Sequence, residues 1–130
     1  MKKRYYPAVF HPEETGFSVY VPDIDGCFTQ GDTMEEACRN AEDAIGLCLE
    51  QYEADGKAYP EPAAPPTLEP GDFTVLIAFD ELDYRRRNDS RAVKKTLTIP
   101  SWLNYLAEKE NVNFSQELQN ALKAKLHISD

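Results

Sequence analysis

Pro22-Asp23-Ile24-Asp25-Gly26-Cys27-Phe28-Thr29-Gln30-Gly31-Asp32-Thr33 is the stretch from which the fold can be read. Pro22 to Gly26 is dense in turn chemistry, and Asp25-Gly26 favours a positive φ at the glycine. Cys27 to Gln30 leaves room for one short strand. Thr33-Met34-Glu35-Glu36 is a capping box: the threonine hydroxyl accepts from the Glu36 amide, and the Glu36 carboxylate reaches back. Turn, strand and helix start thus follow one another within these few residues.

Working upstream, Phe17 to Val21 alternates, with Phe17, Val19 and Val21 on one face. Lys3 to Phe10 reads as a strand rich in Tyr, Val and Phe. Pro7 within it has no ladder donor, so one side of that residue should lack a partner. His11 to Gly16 is a polar turn. Two short connections imply an antiparallel meander. Downstream, Met34, Ala37, Cys38, Ala41, Ile45, Cys48, Leu49 and Tyr52 recur at helical spacing and form one apolar stripe. Gly56 is a plausible helix stop. Tyr59 to Gly71 carries five of the nine prolines and reads as an extended connection. Phe73 to Phe79 is a nearly continuous apolar strand that should rejoin the sheet. The first domain, residues 1–80, is therefore β-β-β-α-β. Residues 81–90 are highly charged without periodicity and read as a linker.

Residues 91–130 have another signature. Val93, Leu97 and Ile99 share one side of an alternating run, and Lys94, Thr96 and Thr98 the other. Pro100 stands where a helix begins. Trp102, Leu103, Leu106 and Ala107 make one short stripe, and Asn111 suits a left-handed cap. Asn113 with Gln116 signals a second helix start, followed by the stripe Phe114, Leu118, Ala121, Leu122 and Leu126. Strand, helix, helix in about 35 residues is too little for a self-sufficient core. A single strand also leaves its own edges unpaired. Two copies that pair strands and interlock helices remove both shortages.

The 130 residues carry a net charge of −9. Residues 1–80 hold 5 Lys and Arg against 16 Asp and Glu, a net −11, whereas residues 91–130 hold 6 against 4, a net +2. The acidic part repels nucleic acid and attracts basic proteins, and the tail is the part able to approach phosphate. No apolar run reaches the roughly 20 residues that cross a bilayer. The basic N-terminus lacks an apolar segment behind it, so no secretory signal is expected and a cytoplasmic location is. Cys27, Cys38 and Cys48 are widely spaced, with His11 and His127 the only histidines. This set does not supply a zinc site, and the cysteines are expected to be reduced, small apolar residues.

Lys94-Lys95-Thr96-Leu97-Thr98-Ile99-Pro100, followed by two helices around Asn-Val-Asn-Phe-Ser, resembles the ribbon-helix-helix DNA-binding proteins. In that fold, two chains form an antiparallel ribbon that enters the major groove. The first domain resembles the HicB antitoxin family. The resemblance rests on Tyr6 to Phe10, Gly16 to Val19 and, above all, Pro22 to Thr33. Glu35-Glu36-Ala37, Asp55-Gly56 and Pro60-Glu61-Pro62 add to it. It implies an α+β protein, with a partial ribonuclease-H-like domain followed by a β-α-α ribbon-helix-helix dimerisation domain. It also implies a HicA-type toxin partner: small, basic and RNA-cleaving, with a double-stranded-RNA-binding-like fold. The antitoxin would block this toxin and repress the shared operon by binding operator DNA. Homodimerisation through the C-terminal domain is implied, with a higher oligomer open, and neither a cofactor nor a membrane. The alternative is a stand-alone dimeric regulator whose acidic domain senses another ligand or only oligomerises.

The residue-level readings follow. Ribonuclease-H chemistry uses clustered carboxylates around two metal ions. Lys3 to Phe10 offers none, and turn formation accounts for Asp23 and Asp25, so no enzyme activity is expected. Lys94, Thr96 and Thr98 are candidate base readers, or the wet face of a dimer ribbon. Asn113 and Ser115 are candidate phosphate contacts at a helix N-terminus, or simple caps. Arg85-Arg86-Arg87 reads as solvated linker. Tyr20 is an interface anchor or a cover for the far side of the sheet. For the toxin, the sequence offers acidic charge rather than a contact set.

Overall fold

The computed structural model describes residues 3–64 and 66–128; Met1, Lys2, Pro65, Ser129 and Asp130 lie outside it. The chain divides into a unit ending at Arg91, the body, and one starting at Ala92, the tail. In the body, β1 (Lys3–Pro12), β2 (Phe17–Tyr20), β3 (Phe28–Gly31), α1 (Met34–Ala54), β4 (Phe73–Asp80) and α2 (Glu81–Asn88) follow in order. The tail holds α3 (Ser101–Lys109) and α4 (Phe114–Lys125).

The sheet is four-stranded, in the order β3-β2-β1-β4, and each neighbouring pair is antiparallel. The β-β-β-α-β order expected for the first part is present. β4 returns antiparallel beside β1, with Lys3 opposite Asp80 and Phe10 opposite Phe73, so the handedness rule for parallel crossovers does not arise. The β2 ladder starts at Val9, and Pro7 is partnered only by Leu76 of β4. The missing donor therefore costs no bond on the β2 side.

One sheet face buries Tyr6, Ala8, Phe10, Val19, Ile77 and Phe79 against Ala37, Ala41, Ile45 and Leu49 of α1. Alanines on the helix stripe let it approach the sheet closely. Gly31 makes the same approach from the strand side: a Cβ there would lie 2.4 Å from the Ala37 backbone nitrogen. Phe10, Phe17 and Phe73 cluster with ring centroids 5.5–6.0 Å apart. Cys27 is buried, and Cys38 and Cys48 pack at the edge of the same core. Met34, expected on the stripe, is exposed at the first turn of α1.

The caps of α1 follow the sequence with one difference. The Glu36 amide donates to Thr33 Oγ1 at 3.1 Å, but the Glu36 carboxylate accepts from the Asp32 amide at 3.2 Å, not from Thr33. At the other end Gly56 has φ +70°. The Gly56 amide donates to the Glu53 carbonyl and Lys57 to Tyr52, which closes the helix in a Schellman motif. The proline-rich connection is extended but tied down. Tyr6 Oη donates to the Pro60 carbonyl at 2.7 Å, and Ala63 N donates to Asp23 Oδ2 at 3.1 Å. Burial pushes the Tyr6 hydroxyl up to about 12, so it remains a neutral donor.

Two expectations need correction. Residues 81–90 are not a linker, because Glu81–Asn88 form α2. Asp80 caps it by accepting from the Asp83 amide at 3.1 Å. Glu81–Arg85 and Asp83–Arg87 are i,i+4 ion pairs, and Tyr84 is buried. Its ring occupies the space over Gly46 of α1, where a Cβ would come within 2.0 Å of Tyr84 Cε1. Second, Val93 to Ile99 form no strand in the single chain. A ladder needs a partner strand, and the expected one belongs to a second copy.

The tail helices lie where the sequence predicts them. Asn111 takes the left-handed conformation at φ 56°, with its amide on Glu108 and that of Val112 on Ala107. His127, read only as a tail residue, closes α4 in the same way at φ 57°, followed by Ile128 N on the Lys123 carbonyl. No described residue of the tail is buried.

Candidate protein and nucleic-acid interfaces

The body presents two unlike outer surfaces. On the helical side, carboxylates and arginines from α1 and α2 interlock. Arg85 Nη2 bonds both carboxylate oxygens of Glu53 at 2.7 and 2.8 Å and Glu81 at 3.1 Å. Those two carboxylates hold the guanidinium pKa above its ordinary value. Arg87 pairs with Asp83 at 2.9 Å, Glu42 at 3.4 Å and Asp43 at 3.9 Å. Arg4 lies 4.9 Å over the Tyr59 ring and 3.9 Å from Glu81. The arginine run is thus not solvated linker: Arg85 and Arg87 fasten α2 to α1. Asp25, Glu35, Glu50 and Asp55 remain exposed on this acidic side, with Leu47 exposed among them.

The centre of the opposite sheet face is apolar. Register places Phe28, Tyr20, Val9 and Thr74 in one row across the four strands, with Leu76 opposite Pro7 in the next. Phe28 is 72% and Leu76 62% exposed. Tyr20 points outward as read from the sequence, its ring 6.4 Å from that of Phe28. Val9 is buried without belonging to the core cluster of the helical face, so its neighbours on the outer face cover it. Sequence reasoning named only Tyr20 here, because Phe28 and Leu76 join it through strand register.

Asp23 Oδ2 accepts from the Ala63 amide, and the Asp25 amide donates to Tyr52 Oη at 3.4 Å. Both lie in the turn closed by Val21 N on the Cys27 carbonyl and Cys27 N on the Ile24 carbonyl. Among the described residues no group of three or more His, Cys, Asp or Glu side chains could hold a metal ion. Likewise, no helix is long and apolar enough to cross a membrane.

In the tail, Lys94, Thr96 and Thr98 are all exposed in the segment before α3. Asn113 is the N-cap of α4, its Oδ1 accepting from the Gln116 amide at 3.0 Å. Ser115 is exposed in the first turn beside it. The structure brings Asn113 and Ser115 to one helix end and does not pair them with Lys94, Thr96 or Thr98. The apolar residues of the tail are equally open: Val93, Leu97, Trp102, Leu103, Leu106 and Phe114 are all exposed.

A family model described as the HicB-like antitoxin of bacterial toxin–antitoxin systems matches residues 6–124. An uncharacterised 14.9 kDa protein of Haemophilus phage HP1 is 32% identical over 102 residues, covering 75% of this chain and 74% of that one. Antitoxin HicB 2 of Photorhabdus laumondii is 40% identical over 62 residues, 48% of this chain and 45% of that antitoxin. Among solved structures, the antitoxin HicB3 aligns over 97% of this chain and 99% of its own, with TM-score 0.54 and 30% identity. A chain of the HicA3–HicB3 toxin–antitoxin complex aligns over 58% of this chain and 98% of its own, with TM-score 0.50 and 31% identity. The family match spans both the body and the tail, and the chain belongs to the HicB-like antitoxins of bacterial toxin–antitoxin systems.

Proposed function

We propose that the chain is a two-module, non-enzymatic antitoxin. The body, a partial ribonuclease-H-like fold in shape only, binds and neutralises a basic, RNA-cleaving HicA-type toxin. The tail dimerises as a ribbon-helix-helix and holds operator DNA through Lys94, Thr96 and Thr98, with Asn113 and Ser115 at phosphate.

The observation that carries this reading is the contrast in burial between the two units. The body completes its own core, whereas α3 and α4 bury nothing. The body can therefore meet a toxin by itself, and the tail needs a second copy before it can meet DNA. Charge supports the same division. An acidic body attracts a surface built to hold RNA, and steering of this kind makes association fast and salt-sensitive. The membership of a chain like this one in a toxin–antitoxin complex supports the toxin as the partner.

The test of inhibition is an RNA-cleavage assay with the purified toxin and residues 1–91. The fragment has to include α2, because a cut at Asp80 would remove Tyr84 from its seat over Gly46. The fragment should abolish cleavage, and its association rate should fall as salt rises. Full cleavage in the presence of saturating folded fragment would exclude the body as the inhibitor. For DNA, Thr96→Ala should weaken specific promoter binding by about 1–3 kcal/mol with little change in salt slope. Promoter affinity unchanged in a Thr96/Thr98 double alanine variant would remove the groove-reading assignment.

A further inference from the structure

The exposed apolar side chains of the body are unevenly placed. On the helical side Leu47 and Met34 stand singly, and Arg85 and Arg87 already pair with Glu53, Glu81, Asp83 and Glu42. On the outer sheet face they gather. Tyr20 stands opposite Phe28 across the β2–β3 ladder. Leu76 lies opposite Pro7, with Ala78 opposite Tyr5 in the row beyond. Tyr5, Tyr20, Phe28 and Leu76 are all exposed. Single exposed apolar residues are ordinary on a protein surface, but a group of this kind with three aromatic rings marks a contact surface.

We propose, on the basis that the body is the inhibitor, that the basic, RNA-cleaving toxin docks on this sheet face. Phe28, Tyr20 and Leu76 are its anchors, and the acidic helical side steers it from a distance.

Size and charge select this occupant over a second copy. The spacing of the strands and the rise along them make the patch about 14 Å square, or roughly 200 Å². A standard interface takes about 800 Å² from each partner, so any occupant must reach beyond the apolar centre. At the strand ends around it stand Glu13, Asp32 and Asp80, with Lys3 opposite Asp80 and His11 tied to Asp72. Residues 1–80 as a whole carry a net −11. A second copy meets like charge there, whereas a basic protein meets its complement. The two roles then separate in the kinetics. Long-range charge sets the association rate, and the desolvated anchors set the dissociation rate.

The experiment is binding kinetics of the full-length chain with the purified toxin across a salt series. Phe28→Ser combined with Leu76→Ser should speed dissociation by about a hundredfold. The association rate and its salt dependence should stay as in the parent. Both side chains lie outside the core, so the urea midpoint should stay close to that of the parent. Leu47→Ser, similarly exposed on the helical side, should dissociate like the parent. In the parent complex, Tyr5 and Tyr20 should be protected from nitration by tetranitromethane. Parent-like dissociation of the double variant, faster dissociation of Leu47→Ser, or both tyrosines still open to nitration would overturn the docking face and leave inhibition by the body standing. A smaller sedimenting species for the double variant than for the parent would give the face to a second copy instead. A parent chain that neither binds nor inhibits the toxin would remove the body as inhibitor and this face with it.

Discussion

The helices of the body and of the tail both carry an apolar stripe, and the two units treat it in opposite ways. On α1 the stripe is covered by the sheet, so Ala37, Ala41, Ile45 and Leu49 are buried within one chain. On α3 and α4 no residue of the stripe is buried. The difference lies in what the sequence supplies next to each helix. The body has four strands with an apolar face, whereas the tail has one unpaired segment and some 35 residues in all, below the size at which a core closes on itself. Amphipathicity alone therefore does not distinguish a finished domain from half of one.

The largest effect is expected in the finished half. Phe10→Ala removes a fully buried ring from between Phe17 and Phe73 and should cost about 3–5 kcal/mol. The loss should be identical at high and low protein concentration in urea titrations. A concentration dependence would mean that the body is not self-sufficient.

Leu106→Ala should cost about 2–5 kcal/mol, and here the apparent loss should vary with protein concentration, as the proposed dimerisation of the tail requires. Calorimetry across a dilution series reads this directly. A fragment of residues 91–130 that stays folded and monomeric on dilution would erase the contrast.

Gly46→Ala sharpens the comparison within the body. Alanine improves helix propensity by about 0.8–1.0 kcal/mol, but its Cβ would displace the Tyr84 ring, and overpacking costs about 1–3 kcal/mol. The variant should be less stable than the parent. In a Tyr84→Ala background the same change should turn stabilising, a reversal that a double-mutant cycle reads. Equal effects in both backgrounds would show that α2 does not rest on that glycine.

The smallest effect concerns pH. A hydrogen bond and then the charge of Asp72 raise the exposed His11 pKa above its ordinary value. The stabilisation is therefore fully present below about pH 6.5 and is lost as pH rises through the higher folded value. An NMR titration of His11 should show the raised pKa, and Asp72→Asn should return it toward normal.

The order of strands and the long helix were legible because turn chemistry and periodicity agreed: Asp25-Gly26 and Thr33-Glu36 mark boundaries that the backbone then obeys. α2 was not legible by periodicity, since only Tyr84 among its eight residues is buried. Its signal was electrostatic: Asp80 ahead of Asp83, and acid–base pairs four residues apart. The Asn113 cap was readable and is present. The open sheet face was readable only at Tyr20, because Phe28 and Leu76 lie in other strands and become its neighbours through register alone.

The register of β1 also sets a timetable for synthesis. Lys3 is paired with Asp80 and Phe10 with Phe73, so β1 is made before the rest of the body and must wait for nearly its last part. Until β4 (Phe73–Asp80) has left the ribosome, that edge of β1 stays unpaired. The Tyr84 seat closes a few residues later still. Such long-range closure slows folding relative to local pairing. The exposed stripe of the tail emerges after it, so each chain has the means to complete its body before its tail is made.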